Sequence, residues 1–316
     1  MHTSVIIISK DELPRLRLCL IALSRQALRW GHDAELVLVD DGSAAALAPA
    51  VTELLPLRSI RHERALGRSA ARNAGARVAQ GDRLLFLDGD VLMSPDALER
   101  HARLGPLELG RGEQRHLRST RFFADPRTGE PWPGKEARVK SLGALAPQLV
   151  TEEQARGPFE PLLARSEVAI YPGAGPRKLY ELEMGALTRG STPRAAWMAA
   201  AGHNFSIPRA LFEQARGFDE ALTINEHREL ALRLQRLGAR VVPVPGAVSL
   251  HLTHREGWRD PLQTDDGWLA TFTRLHPFEA PLMTRLWRTL ANDPALPASE
   301  RLGSLEDVER LLEARA

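Results

Sequence analysis

Two aspartate residues, Asp88 and Asp90, have the side-chain type and the spacing that suit a divalent metal ion. They flank Gly89 and follow the apolar run 84–87, which is typical of a short strand buried on both faces. Residues two apart in an extended segment point to the same side. Paired carboxylates can therefore bind a hard cation, which in turn can bind a diphosphate. Because Asp and Gly are also ordinary turn residues, the motif alone fits a polar turn equally well.

Strands and helices alternate around this motif. Apolar and β-branched runs predict strands at 5–8, 35–39, 59–62 and 84–87. Helices are predicted at 13–28, at 44–55 and, after a loop, within 64–79. This alternation predicts an α/β fold with a mostly parallel sheet of Rossmann type. Asp40 and Asp41 end one strand as Asp88 ends another, and such sheets bind ligands at the carboxyl ends of their strands.

The rest of the chain is less regular up to about residue 200. Residues 105–200 are rich in Gly, Pro and Arg, and segments of this kind are often binding loops. Weak patterns there suggest strands at 118–123 and 168–171. Further helices are predicted at 96–104, 209–215, 225–237 and beyond 257, and further strands at 240–244 and up to His251.

Composition narrows the function classes. The 316 residues include 42 basic and 40 acidic side chains, and a net charge of +2 gives no case for a nucleic-acid binder. The single cysteine, Cys19, excludes an internal disulfide and cannot by itself hold structural zinc. No apolar run reaches the roughly 18 residues of a transmembrane segment, and the N-terminus lacks a signal-peptide pattern. We therefore expect a cytoplasmic protein.

Four motifs, in order along the chain, resemble those of glycosyltransferase family 2, whose members have the GT-A fold. The N-terminal motifs are the strand 4–7 with the loop Asp40-Asp41-Gly42-Ser43, Gly67 with Ala71-Arg72-Asn73-Ala74-Gly75, and Asp88-Gly89-Asp90, which is similar to the DXD motif. The C-terminal group is Asn204-Phe205-Ser206, Arg209, Phe212, Gly217-Phe218-Asp219-Glu220, Glu226-His227-Arg228-Glu229-Leu230 and Arg233. Each motif is weak alone, but the ordered set is specific.

The resemblance implies a domain organisation and a reaction. Residues 1–256 would form the GT-A domain, in which 1–104 bind a nucleotide sugar and 105–256 bind the acceptor. Residues 257–316 would be a helical C-terminal extension. Members of the family transfer a sugar from a nucleotide diphosphate sugar to an acceptor hydroxyl with inversion at the anomeric carbon.

Several residues acquire expected roles from the resemblance. Asp41 would read the donor base by accepting the imino N–H of uracil, which is favoured, or of guanine; its alternative is a turn with Ser43. Arg72 would contact the phosphates or form a structural ion pair. The expected donor-binding set is Ile8, Ser9, Asp41, Arg72, Asp88, Gly89 and Asp90.

The expected cofactor is Mn²⁺ or Mg²⁺. Asp90 would ligate the ion, Asp88 would touch the ribose or the metal shell, and His251 would complete the shell, with His254 as a weaker rival. A metal at this place stabilises the departing diphosphate.

The chain departs from the family pattern at the expected general base. The family has Glu-Asp where this chain has Glu226-His227, and the family's Asp deprotonates the acceptor hydroxyl. A neutral imidazole can be a base near neutral pH, so His227 is the first candidate. Glu226 is the second candidate, and loss of catalysis is the third reading.

The substrates and assembly stay open at this level. The Gln-x-x-Arg-Trp element of processive members is absent, which favours transfer of a single sugar. The acceptor could be a glycan, a lipid-linked intermediate, a natural product or a peptide, and a homodimer is one possible assembly. The alternative function is a degenerate sugar-nucleotide-binding protein that is a partner of another transferase. A nucleotidyltransferase is disfavoured because 9–12 contain no Gly.

Overall fold

The computed structural model describes residues 2–118, 136–137, 140, 150–168, 184–253, 267–290 and 293–314. Its strands are β1 Thr3–Ser9, β2 Ala34–Asp40, β3 Arg58–Arg61, β4 Arg83–Asp88, β5 Val91–Met93, β6 Glu108–Arg118, β7 Glu167–Val168, β8 Phe205–Pro208 and β9 Arg240–Thr253. Its α-helices are α1 Leu13–Ser24, α2 Arg68–Val78, α3 Ala97–Ala102, α4 Glu152–Arg156, α5 Glu160–Ala164, α6 Ala186–Arg189, α7 Arg209–Gln214, α8 Glu226–Arg236, α9 Gly267–Leu275, α10 Ala280–Leu290 and α11 Leu305–Glu313. Within the described segments, no helix has the length and apolar character needed to cross a membrane.

The strands form one mixed sheet in the order β3-β2-β1-β4-β8-β6-β9-β5, and β7 pairs with β6. β1 to β4 run parallel, as predicted, whereas β8 is antiparallel to β4 and to β6. The register places Ser9 beside Asp40 and Ile8 beside Asp88. The carboxyl ends of the first strands therefore meet at one edge of the sheet.

Both faces of the N-terminal strands are buried. Alternate residues of a strand point to opposite faces, so Ile6 and Phe86 join one apolar cluster while Val5 and Leu85 join the other. Helix α1 covers the second face, and α2 and α8 contribute to the first. The continuous apolar runs in the sequence reflect this two-sided burial.

The predicted helix at 44–55 is wrong. This segment contains only a short 3-10 turn, Ala48–Ala50, among other turns. Pro49 cannot donate a helical hydrogen bond. The backbone N–H groups of Ala44 and Leu47 donate instead to the carboxylates of Asp11 at 2.8 Å and Asp40 at 3.1 Å.

Strand β6 was predicted too late in the chain. It begins at Glu108, whereas the sequence suggested a strand from 118, and residues 119–123 lie outside the described residues. β6 lies between β8 and β9, so its polar side chains find partners there. Gln114, for example, donates to the carbonyl of His203 at 2.5 Å. The strand predicted at 168–171 is described only at its start, as β7.

Helices α9, α10 and α11 fall within the predicted C-terminal extension. Their apolar residues belong to the same cluster as the 3-10 turn Ala196–Ala199 and helix α8. Phe272 of α9 stacks on Trp197 with ring centroids 6.2 Å apart. The proposed division at residue 256 lies outside the described residues and stays a prediction.

Candidate active site

The donor-side candidates lie at the carboxyl ends of β1, β2 and β4. The N–H of Asp41 donates to the carbonyl of Ser9 at 3.0 Å, and the N–H of Gly89 donates to that of Ile8 at 3.1 Å. A methyl group on Gly89 would lie 2.9 Å from Ser9 Oγ, so a larger residue at position 89 would require Ser9 to shift. The structure thus brings together the predicted donor-binding residues of three separate strands.

Asp41 holds the loop that leads into α2. Its Oδ1 accepts hydrogen bonds from His62 Nδ1 and from the N–H of Leu66, both at 2.8 Å, and its Oδ2 accepts one from the N–H of Gly67 at 3.0 Å. The turn at Ser43 uses Asp40 instead, whose Oδ1 accepts from the Ser43 N–H at 2.9 Å. The structure therefore assigns the Ser43 turn to Asp40, while Asp41 anchors residues 62–67.

Arg72 connects the two halves of the site. One terminal nitrogen donates to Asp88 Oδ1 at 2.9 Å and the other to Glu226 Oε1 at 2.6 Å. Arg72 is 1% exposed, and its guanidinium also lies 5.7 Å from the ring centroid of Phe218. Both terminal nitrogens are engaged by carboxylates, which matches the ion-pair alternative for Arg72.

Asp88 is held from two sides. Besides the bond from Arg72, His203 Nδ1 lies 3.5 Å from Asp88 Oδ2. Burial acts to raise the pKa of Asp88, but Arg72 and His203 outweigh burial and keep the pKa below its usual value. Asp88 is therefore an ionised group that is anchored to the protein.

Asp90 faces His251 across the β5–β9 pair. The register sets Val91 beside His251, and His251 Nε2 lies 3.3 Å from Asp90 Oδ2. The His203 ring stacks on that of His251 with centroids 5.5 Å apart, and the His116 ring meets it edge-on at 5.2 Å.

The donor atoms of Asp90 and His251 fit a divalent cation that is shared with a ligand. Within the described segments, no group of three or more His, Cys, Asp and Glu side chains has the geometry of a metal site. Mg²⁺ and similar ions in nucleotide sites often take only one or two protein ligands and complete their shell with phosphate oxygens and water. A carboxylate oxygen and an imidazole nitrogen that face each other suit that arrangement. Asp88, which is bound to Arg72, is less suited to direct ligation.

The candidate bases begin helix α8. Asn225 precedes the helix in the left-handed region (φ 64°), and Glu226 is its first residue. His227 Nδ1 lies 3.6 Å from Glu226 Oε1. Burial lowers the pKa of His227 to about 4 despite the opposing effect of Glu226. The imidazole is consequently neutral near pH 7.

Glu226 is ionised and almost fully buried, with 1% of its side chain exposed. Burial acts to raise its pKa, but His227 and Arg72 outweigh that effect and hold the pKa well below the usual value. Gly202 leaves room beside this group, since a methyl group there would lie 3.3 Å from Arg72 and 3.6 Å from His227 Nδ1.

Sequence reasoning missed three histidines of the site, His62, His116 and His203. A signal existed for two of them. His62 ends the predicted strand at 59–62, and His203 directly precedes the motif Asn204-Phe205-Ser206. His116 lies in β6, whose strand pattern was not recognised. The rival ligand His254 lies outside the described residues.

Comparison with known proteins finds similarity to glycosyltransferases in sequence and in fold. The sequence profile of Glycosyl transferase family 2 matches residues 4–104. The uncharacterized glycosyltransferase YwdF of Bacillus subtilis is 33% identical over 104 residues, which are 33% of this chain and 38% of that protein. The match thus spans about a third of the length of this curated relative.

Solved structures match over nearly the whole chain. The mannosyltransferase PcManGT from Pyrobaculum calidifontis, in complex with GDP-Man and Mn²⁺, has a TM-score of 0.58 at 18% identity, covering 99% of this chain and 75% of that one. The S. aureus TarS fragment 1–349 with UDP-GlcNAc has a TM-score of 0.51 at 16% identity, covering 95% of this chain and 69% of that one. The chain therefore has the GT-A fold, and its residues 4–104 match the sequence model of Glycosyl transferase family 2.

Proposed function

We propose that the protein is a metal-dependent inverting glycosyltransferase that moves a single sugar from a UDP-sugar to an acceptor hydroxyl. The observation that carries the proposal is the continuous contact from Asp88 through Arg72 to Glu226 and His227. These contacts join the donor-side motif to the candidate base, as transfer between two bound substrates requires.

The donor side supplies binding and charge compensation. Asp90 and His251 would hold Mn²⁺ or Mg²⁺, which neutralises the charge on the departing diphosphate when it is bound. Asp41, Ile8 and Ser9 line the end of the sheet where the nucleoside would lie. The complexes of PcManGT with GDP-Man and Mn²⁺ and of TarS with UDP-GlcNAc support a nucleotide-sugar donor and a metal.

The acceptor side supplies a base. His227 is neutral near pH 7, so one of its ring nitrogens can accept the proton of the attacking hydroxyl. With Nδ1 toward Glu226, the proton-accepting atom would be Nε2, and Glu226 would stabilise the imidazolium that forms. This division of roles follows the logic of a carboxylate that orients a catalytic histidine.

The experiment that tests the donor site is titration of UDP with Mn²⁺ on the Asp90→Asn protein. The change keeps the side-chain shape and removes the charge, so we expect affinity to fall by at least about tenfold, or roughly 1.4 kcal/mol. A further arm with Asp41→Ala should weaken UDP but spare pyrophosphate with Mn²⁺. Unchanged UDP affinity in Asp90→Asn would remove Asp90 from the metal site.

A second candidate function is a sugar-nucleotide-binding protein without turnover. The observation that favours it is the histidine at 227, where the family has its catalytic Asp. Such a protein would bind UDP with Mn²⁺ yet release no UDP from any UDP-sugar and acceptor. A UDP-release assay over a panel of donors and acceptors distinguishes the two functions.

A further inference from the structure

The carboxylate of Asp41 has little hydrogen-bonding capacity left for a ligand. An ionised carboxylate has about two acceptor positions on each oxygen. The bonds from His62 and Leu66 occupy both positions of Oδ1, and the bond from Gly67 occupies one position of Oδ2. Among the described residues no fourth donor reaches this carboxylate, so a single position on Oδ2 remains for a nucleotide.

The nucleobases differ in how many adjacent donors they present. Uracil has one imino N–H between two carbonyl groups, and a single acceptor satisfies it. Guanine presents an imino N–H next to an amino group, and this pair of donors suits both oxygens of one carboxylate, as bidentate donors generally do. A carboxylate with Oδ1 already saturated can accept from uracil but leaves one of the two guanine donors unpaired, which is costly in a closed site.

We propose that His62 is a specificity-determining residue: by occupying Oδ1 of Asp41 it restricts this carboxylate to one hydrogen bond and selects uracil over guanine. The inference rests on the proposed function, in which Asp41 reads the donor base. It also gives the proposed preference for UDP a structural cause.

His62 is well placed for this role. It directly follows β3, its N–H donates to the carbonyl of Asp40 at 2.9 Å, and its side chain is only 13% exposed. Because a carboxylate only accepts hydrogen bonds, Nδ1 of His62 carries the proton. The other two donors to Asp41 are backbone N–H groups. Among the described side chains, His62 is therefore the one whose replacement changes how many acceptor positions of Asp41 are occupied.

The test is calorimetric titration of UDP and of GDP, each with Mn²⁺, at one fixed pH on the full-length chain. We expect wild type to bind UDP at least about tenfold tighter than GDP, the scale of a lost bidentate contact. His62→Phe keeps a ring and removes the donor, so the ratio of the GDP Kd to the UDP Kd should fall at least about fivefold. His62→Gln has a donating amide and should keep the ratio close to wild type. His62→Ala, a second variant without a donor, should behave as His62→Phe does.

His32→Ala is the matched control. His32 pairs with Asp33 through the same atoms at 2.8 Å, but at the amino end of β2, so its loss should leave both affinities unchanged. A ratio that stays at the wild-type value in both His62→Phe and His62→Ala overturns the inference while the proposed donor site stands. Tighter binding of GDP than of UDP by the wild-type protein would also overturn the inference while the proposed donor site stands. If neither nucleotide binds wild type, the proposed function fails as well.

Discussion

Arg72 is almost completely buried, and each of its terminal nitrogens donates to a carboxylate, that of Asp88 or that of Glu226. Removing one member of a buried ion pair typically costs about 3–5 kcal/mol, because the partner is left as an unpaired buried charge. The Arg72 ion pairs therefore fix the positions of two functional candidates that are 154 and 16 residues away from it in sequence. We infer that Arg72 positions these groups and does not bind phosphate with the same nitrogens.

At His227 we expect that replacement by alanine lowers kcat by at least about a hundredfold, since loss of a general base typically costs 10² to 10⁴ in rate. Donor affinity should change little, because His227 lies on the proposed acceptor side. The measurement is UDP release under saturating donor and acceptor. His227→Asp restores the family residue and should recover part of the rate.

Glu226→Gln decides between the two neighbouring candidates. If this variant loses all turnover while His227→Ala remains active, Glu226 is the base. If neither change lowers kcat, the acceptor is deprotonated by another group.

The acidity of His227 gives a prediction for the pH profile. Burial lowers the pKa of its imidazole to about 4, so the base form predominates above about pH 5. Between about pH 4 and pH 6.5 the unfolded chain binds more protons than the folded chain, because the histidine in the unfolded chain has its ordinary pKa of about 6.5. Folding stability should therefore fall as pH drops from 6.5 toward 4. We expect kcat to stay nearly constant between pH 6 and 8, and urea unfolding to show a smaller loss on acidification in His227→Ala than in wild type.

At the scale of elements, the backbone of the Asp41 loop depends on one glycine. Gly42 has a φ of 77°, and the chain at Arg64 and Ala65 packs directly against it. A methyl group on Gly42 would lie 2.8 Å from Arg64 Cα and would overlap the neighbouring backbone atoms. The loop whose backbone donates to Asp41 can therefore pack in this position only when residue 42 is glycine.

Gly42→Ala should destabilise the protein and weaken UDP binding. The left-handed backbone alone costs a residue with a Cβ about 1–2 kcal/mol, and the overlap with 64–65 adds to it. Gly31 is the control, since it has a φ of 83° with no atom within 4 Å of the added methyl group. We expect urea unfolding of Gly31→Ala to show only the cost of the left-handed backbone, about 1–2 kcal/mol. This variant should bind UDP normally. Equal effects of the two changes would mean that the packing against Gly42 is unimportant.

The strands that position the donor motif could be predicted because both of their faces are buried. Residues 84–87 belong to β4, and the two faces of this strand pack against different apolar clusters. Every side chain in the run is therefore apolar, which made the strand recognisable. Strand β6 escaped prediction because polar side chains such as Gln114 are satisfied by neighbours distant in sequence. The ion pairs of Arg72 escaped for the same reason, since residue types reveal a charge but not its long-range partner.

At the scale of the whole molecule, the C-terminal helices and the sheet share one apolar cluster. Trp268, Phe272 and Trp287 of α9 and α10 are buried with Trp197, and the aromatic rings contact one another. A polar contact also joins this region to α8, since His276 Nε2 lies 2.9 Å from Glu229 Oε1. Helix α8 also carries the candidate base, so these helices pack against the element that positions His227.

This shared cluster predicts one cooperative unfolding transition, although the sequence suggested a separate extension at 257–316. Phe272 is fully buried against Trp197, and truncating such a residue costs about 3–5 kcal/mol. Phe272→Ala should lower the urea midpoint equally by tryptophan fluorescence and by far-UV circular dichroism, because a two-state protein loses all of its structure together. Phe278→Ala, at a side chain that is 81% exposed in the same region, should leave both midpoints unchanged. If Phe272→Ala instead shifts the fluorescence transition alone, the extension unfolds independently and the division at residue 256 is correct.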